Sequence, residues 1–235
     1  MSKQEMSICM KNYFSLLIFT CMVAKTAAQI HISPVFGDKA LAKNTWFVSS
    51  NGDSLQFDNI RFYLSNIEFE TSSKSIVEDS VKAYLVDVFD AKTLIINSPK
   101  INFANINKLR FNVGIDSMTN MSGALGGDLD PMKGMYWAWQ SGYINFKIEG
   151  KSPQCKNRKN EFQFHIGGYL EPFYSMRTVE LELKNGFNSM KGMLKIDVSK
   201  FFENVHITQQ NNIMIPCQEA MKLANEAVKM FVVLE

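Results

Sequence analysis

The chain has 235 residues, with 25 basic against 23 acidic side chains, and 46% of it is hydrophobic. That length can bury a sizeable core without disulfide or metal staples. The near-neutral charge excludes nucleic acid as a partner, because that surface requires a concentrated basic patch.

The N-terminus reads as an export signal. Lys11 precedes an apolar run from Tyr13 to Ala24, and the small residues Thr26, Ala27 and Ala28 follow. A short apolar stretch between a basic residue and small residues is the pattern of a signal peptide, and it is too short to span a bilayer as a helix. Met10-Lys11-Asn12 opens this pattern more cleanly than Met1. Residues 1–28 are therefore expected to be the signal and residues 29–235 a single domain. Cys21 follows Phe19-Thr20, a poor fit to a lipid-attachment site, so a lipid anchor is not expected. No second apolar run of spanning length follows, so no transmembrane segment is expected and the mature chain belongs in the periplasm or outside the cell. Removing residues 1–28 takes three basic residues (Lys3, Lys11, Lys25) and one acidic residue (Glu5), leaving 22 of each.

Cys9 and Cys21 leave with the signal, and Cys155 and Cys217 remain. In an oxidising compartment two cysteines favour one disulfide over free thiols or a soft-metal site.

The mature sequence then alternates apolar and polar residues. Early strand candidates are Ile30–Ser33, Ile60–Glu70 and Lys82–Phe89. Leu109, Phe111, Val113 and Ile115 continue the series. Residues 115–135 break it as a long loop with Gly123, Gly126, Gly127, Pro131 and Gly134. Loops of this length are commonly functional. After it come Ile144, Phe146 and Ile148, then Phe162, Phe164 and Ile166, then Val179, Leu181 and Leu183, and then Leu194, Ile196 and Val198. Period-two alternation marks strands with one buried face. Many such strands without intervening helices predict an all-β fold, an antiparallel β-sandwich or barrel-like sandwich. Pro216 opens one C-terminal amphipathic helix, with Cys217, Met221, Ala224, Val228 and Phe231 on its buried stripe.

Chemistry-bearing residues are sparse. Gly123-Ala-Leu-Gly-Gly127 lacks the Lys-Ser/Thr ending of a phosphate loop. The mature chain has no nucleophile elbow, His-Glu-x-x-His or Cys-x-x-Cys, so no catalytic residue is assigned and no enzyme is expected. Asp116, Asp128 and Asp130 do not match an EF-hand and read as turn caps before a calcium site. The histidines are His31, His165 and His206. His165 and His206 each sit between apolar neighbours, so each points away from the main apolar face. Imidazole suits copper, but a site needs two of the three to converge. Met118, Met121, Met132 and Met135 crowd the long loop; thioethers can hold Cu(I), but gap-filling in a core is their commoner role. Trp137, Trp139 and Tyr143 share one face if that segment is extended, giving a structural aromatic stripe with a binding role second.

Taken in order, Phe62-Tyr-Leu-Ser-Asn-Ile67, Tyr84-Leu-Val-Asp87, Phe111-Asn-Val-Gly-Ile-Asp116, Leu129-Asp-Pro131, Gly134-Met-Tyr-Trp-Ala-Trp-Gln-Ser-Gly-Tyr143, Lys147-Ile-Glu-Gly150 and Phe164-His-Ile-Gly-Gly168 resemble the MbnP-like family over nearly all of residues 30–235. The resemblance implies a secreted or periplasmic β-rich protein linked to copper handling. In related secreted proteins, histidines bind copper beside a tryptophan oxidised to kynurenine, and a dihaem peroxidase-type partner performs that oxidation. By resemblance, Trp137 or Trp139 is the tryptophan, His165 the first ligand candidate and His31 the second, with His206 remaining. One departure stands out: no histidine flanks Trp137 or Trp139 in sequence. The competing reading is a binding module without metal, in which the 115–135 loop and the aromatic stripe contact a protein or small ligand.

Overall fold

The computed structural model describes residues 28–98, 105–183 and 191–233. The segment read as a signal peptide lies outside them except for Ala28.

Fifteen strands are assigned among these residues: β1 (Ala28–Phe36), β2 (Lys39–Ala40), β3 (Trp46–Val48), β4 (Ser54–Thr71), β5 (Ile76–Glu78), β6 (Ala83–Asp87), β7 (Ile95–Ser98), β8 (Ile106–Val113), β9 (Tyr136–Trp137), β10 (Gly142–Lys151), β11 (Glu161–Gly167), β12 (Arg177–Glu182), β13 (Lys191–Asp197), β14 (Asn212–Ile213) and β15 (Phe231–Val233). Two helices accompany them, α1 (Ser117–Met121) and α2 (Gln218–Ala227), with short 3-10 turns. All the strands predicted from alternation are present. The shorter strands β2, β3, β5, β9, β14 and β15 are too brief to show a period.

Two sheets form. The larger runs β12-β8-β4-β10-β11-β14, with β3, β5 and β6 on β4 and β9 on β10; the smaller runs β15-β13-β1-β2, with β7 also on β1. The 18-residue β4 reaches five partners because it bends: Asn66 has a φ of 48°, and the pairing with β8 shifts register between Ser65 and Glu68. Such bulges bend a strand and increase its twist.

The sheets are not wholly antiparallel. β1 and β13 pair in parallel over seven residues, from Gln29↔Lys191 to Val35↔Asp197. A parallel pair needs a long crossover. Here the crossover contains nearly the whole larger sheet, so alternation within each strand carried no trace of it. β11 and β14 are parallel as well.

The buried faces of both sheets meet in one apolar cluster. Ile30 and Ile32 of β1 and Leu194 and Ile196 of β13 join Phe57, Phe62, Phe111, Phe146, Phe162 and Phe164 of the larger sheet, with Phe201 and Phe202 between. A second, smaller cluster gathers Tyr63, Ile115, Leu129, Met135, Trp137, Tyr143 and Ile144 beneath the long loop.

The C-terminal helix begins at Gln218, two residues later than expected. Cys217 is the N-cap of α2, with Sγ accepting from the Ala220 N–H. The buried stripe is Ala220, Leu223, Ala224 and Ala227, so Ala220 and Ala227 take the places predicted for Met221 and Val228, one position earlier, and Met221 and Val228 flank the stripe half-buried. The bridge to Cys155 is not formed, and both cysteines are free thiols. Cys155 is buried in the turn after β10, where burial, aided by the charge of Asp53, pushes its thiol up to about 11. Cys217 is committed instead to capping a helix.

Candidate functional site

The segment Gly134–Tyr143, which carries the resemblance, is a hairpin and not one extended strand. Trp137 pairs with Gly142 and Tyr136 with Tyr143, and Ser141 turns the chain with a φ of 53°. The expected stripe therefore divides. Tyr143 packs edge-on against Tyr136 and Tyr63, with centroids 5.0 Å and 5.8 Å away. Trp139 sits in the turn, 65% exposed, its ring 5.6 Å from that of the buried Trp137.

Trp137 reaches across to β11. A Cβ on Gly167 would lie 2.6 Å from Trp137 Cζ3, so only glycine admits the indole there. His165 is two residues back on β11. Because side chains alternate along a strand, His165 leaves the same face that the indole covers. Tertiary structure thus brings a histidine to the strand face that the Trp137 ring covers, although 28 residues separate the two in sequence.

His165 is 7% exposed, more buried than an outward strand residue was expected to be. It stands opposite Lys147, which stands opposite Arg61. Its Nε2 is 2.7 Å from Glu149 Oε1, and the Asn59 amide donates to Glu149 Oε2 at 2.9 Å. Lys147 Nζ is 3.6 Å from the same carboxylate. Burial works to raise the Glu149 carboxyl, but the bonds from His165 and Asn59 and the Lys147 charge prevail and hold it at about 2. An ionised carboxylate only accepts, so Nε2 carries the proton and a neutral imidazole keeps its lone pair on Nδ1. This is the arrangement in which a carboxylate fixes the tautomer and orientation of a metal-binding histidine.

The other histidines lie elsewhere. His31 alternates with the buried Ile30 and Ile32, so it leaves the outer face of the smaller sheet, where Nε2 is 3.3 Å from Gln29 Oε1. His165 leaves the outer face of the larger one. Packed sheets stand about 10 Å apart, whereas metal–imidazole bonds are about 2 Å, so these two cannot share an ion. His206 is exposed. Its neighbour Ile207 is bonded to Asp53, just before the start of β4, whereas Trp137 packs at the far end of β11. Among the described residues, no group of three or more His, Cys, Asp or Glu side chains is placed to hold a metal.

The long loop is stitched down. Tyr143 Oη accepts from the Leu125 N–H and donates to the Leu129 carbonyl, and Tyr63 Oη donates to the Asp128 carbonyl. Burial first, then the neighbouring Tyr143 and Asp128, raises the Tyr63 phenol above its ordinary range. Asn120 joins the loop to the hairpin, donating to the Ile115 carbonyl and accepting from the Tyr143 N–H. Asp116 caps α1, Asp130 caps the turn at Pro131, and Asp128 accepts from the Leu85 N–H and pairs with Lys133. Of the loop methionines only Met135 is buried. Met118, Met121 and Met132 are 78%, 66% and 90% exposed, against the expectation of packing. Sequence could not separate these because the buried one differs only in adjoining β9.

The MbnP family model matches residues 25–216. Among solved structures, MbnP from Methylosinus trichosporium is similar in fold, with a TM-score of 0.55 and 14% identity over 77% of this chain and 78% of that one. No curated protein sequence matches. No helix among the described residues is long and apolar enough to cross a membrane.

Proposed function

This chain belongs to the MbnP family, and from that premise we propose that it is an exported envelope protein that handles copper at the surface formed by His165, Glu149 and Trp137. The carrying observation is the Trp137 ring seated on Gly167, on the same face of β11 as the carboxylate-held His165. His165 would supply Nδ1 as a ligand and Glu149 would hold its other nitrogen. The bond from His165, with the charge of Lys147 and the bond from Asn59, keeps Glu149 ionised. Copper would bring one-electron redox chemistry to this surface. A second histidine from the same chain does not fit, since His31 and His206 lie on other surfaces. The remaining coordination positions would come from the tryptophan side of the site or from a partner. Trp139 is the accessible indole for oxidation by a dihaem peroxidase-type partner, and Trp137 is shielded behind it.

The test is titration of the mature protein with copper beside the His165→Ala variant. Saturable binding lost in the variant is expected, with competition from protons at lower pH. Absence of binding by the wild type would remove copper from the reading, and equal affinity in the variant would remove His165. Intact mass of protein from its native host reads whether a tryptophan has become kynurenine.

The exposed Trp139, Met118, Met121 and Met132 favour a second reading, a metal-free binding face for a partner. Flexible thioethers and exposed indoles recur at such surfaces. Binding of a partner that survives both copper chelation and His165→Ala would select it.

A further inference from the structure

The third tryptophan lies far from this site. Trp46 pairs with Gln56 of β4, which in turn pairs with Lys151 at the end of β10. Trp137 pairs with the start of that ten-residue strand, about 30 Å away along it. Trp46 is 51% exposed, and its indole N–H has no acceptor among the described residues. It lines a cavity of about 390 Å³ together with Val48, Asp38, Lys39, Ser199 and Glu203. Beneath them the buried rings of Phe36 and Phe47, 5.0 Å apart, form an apolar floor.

The rim is tied in place by hydrogen bonds to half-buried groups. Asp197, 6% exposed, accepts from the Gly37 N–H at 2.8 Å and from the Ser199 hydroxyl at 2.6 Å through one oxygen. One carboxylate thereby fixes both the β1–β2 turn that presents Asp38 and the helical turn that presents Ser199. The Asn51 amide donates to the Phe202 carbonyl at 2.6 Å, tying the turn after β3 to the end that presents Glu203. Glu203 is steadied by Lys200 at 2.7 Å. A cavity whose polar groups are already positioned loses little conformational freedom on binding.

We propose that this cavity is a saccharide-binding site, with the Trp46 indole as the platform for one face of a pyranose ring and the rim as its hydroxyl-reading edge. An exposed indole offers a flat apolar face with a polar tip, which matches the C–H face of a sugar. Sugar hydroxyls donate and accept at once. They match a rim that mixes acceptors (the Asp38 and Glu203 carboxylates, and the Ser199 oxygen, whose proton goes to Asp197) with the Lys39 ammonium as donor. With Lys200 paired to Glu203, the carboxylates of Asp38 and Glu203 are balanced by the ammonium groups of Lys39 and Lys200, which leaves no net charge to hold an ion. The volume is within the range of small-molecule sites. This inference is independent of the copper reading, because no residue is shared.

The experiment is saturation-transfer difference NMR on the full mature chain with three neutral probes: cellotetraose, maltotetraose and tetra-N-acetylchitotetraose. At least one should receive saturation at its ring C–H protons. Trp46→Ala should weaken that probe by about tenfold or more, Trp46→Phe should restore part of the loss, and Trp139→Ala should leave binding unchanged. Near-UV circular dichroism verifies that the variants remain folded. Transfer to none of the three probes overturns the proposal. So does transfer that persists in Trp46→Ala, or a proline-rich peptide that binds at Trp46 when no saccharide does.

Discussion

The two apolar clusters use aromatic rings differently. The larger is built on phenylalanine, with Phe57, Phe62, Phe146, Phe162, Phe164, Phe201 and Phe202 in a continuous chain of ring contacts about 5–6 Å long at each step. Such rings contribute area and shape and require no partner. The smaller cluster is built on Tyr63, Tyr143 and Trp137, and two of its hydroxyls reach loop carbonyls. The first cluster holds the sheets together. The second converts a polar, glycine-rich loop into a fixed wall beside the tryptophans. A ring with a hydroxyl can do both because buried loop carbonyls need donors as well as cover.

Substitutions can test this division. Phe162→Ala removes a ring that touches Phe57, Phe164 and Phe202 and should destabilise the whole chain by about 3–5 kcal/mol in denaturant unfolding. Hydrogen exchange should accelerate in both sheets. Tyr143→Phe keeps the ring and removes the hydroxyl that serves Leu125 and Leu129. It should cost about 1–3 kcal/mol, with faster exchange concentrated in residues 115–135. Uniform acceleration after Tyr143→Phe would mean that the loop and the sheets unfold as one unit and that the two clusters are energetically the same.

The smallest effect concerns the outer face. Glu149 is held at about 2, below its ordinary 4.5. A depressed carboxyl stabilises the fold fully above the unfolded value, and this stabilisation is lost as pH falls from about 4.5 towards about 2. With solvent screening of this half-buried group, the amount is on the order of 1 kcal/mol at neutral pH. Wild type should therefore lose stability across that window relative to Glu149→Gln, measured by urea unfolding at each pH. Parallel curves for the two proteins would show that the His165–Glu149 bond contributes no pH-dependent stability.

Much of the fold was legible because its strands are half-buried and long enough to alternate. Residues 144–148 and 162–166 show it plainly, and β10 and β11 follow. The site was legible only in part. Trp137 and His165 could each be singled out, but nothing in their spacing revealed that Gly167 makes room for one beside the other. The disulfide expectation failed for a related reason. Compartment and cysteine number are properties of composition, whereas Cys217 is engaged by the Ala220 N–H at a helix start and Cys155 lies in the turn after β10.

By itself the sequence determined the all-β class, the loop at 115–135, the C-terminal helix and the family, because these rest on local periodicity and on ordered motifs. Only the tertiary structure decided that β1 and β13 run parallel, that His31 and His165 face away from each other across the sandwich, and that His165 meets Glu149 and the face covered by Trp137. Those are properties of register and sheet order, which depend on contacts between segments far apart in the chain and leave no period within any one of them.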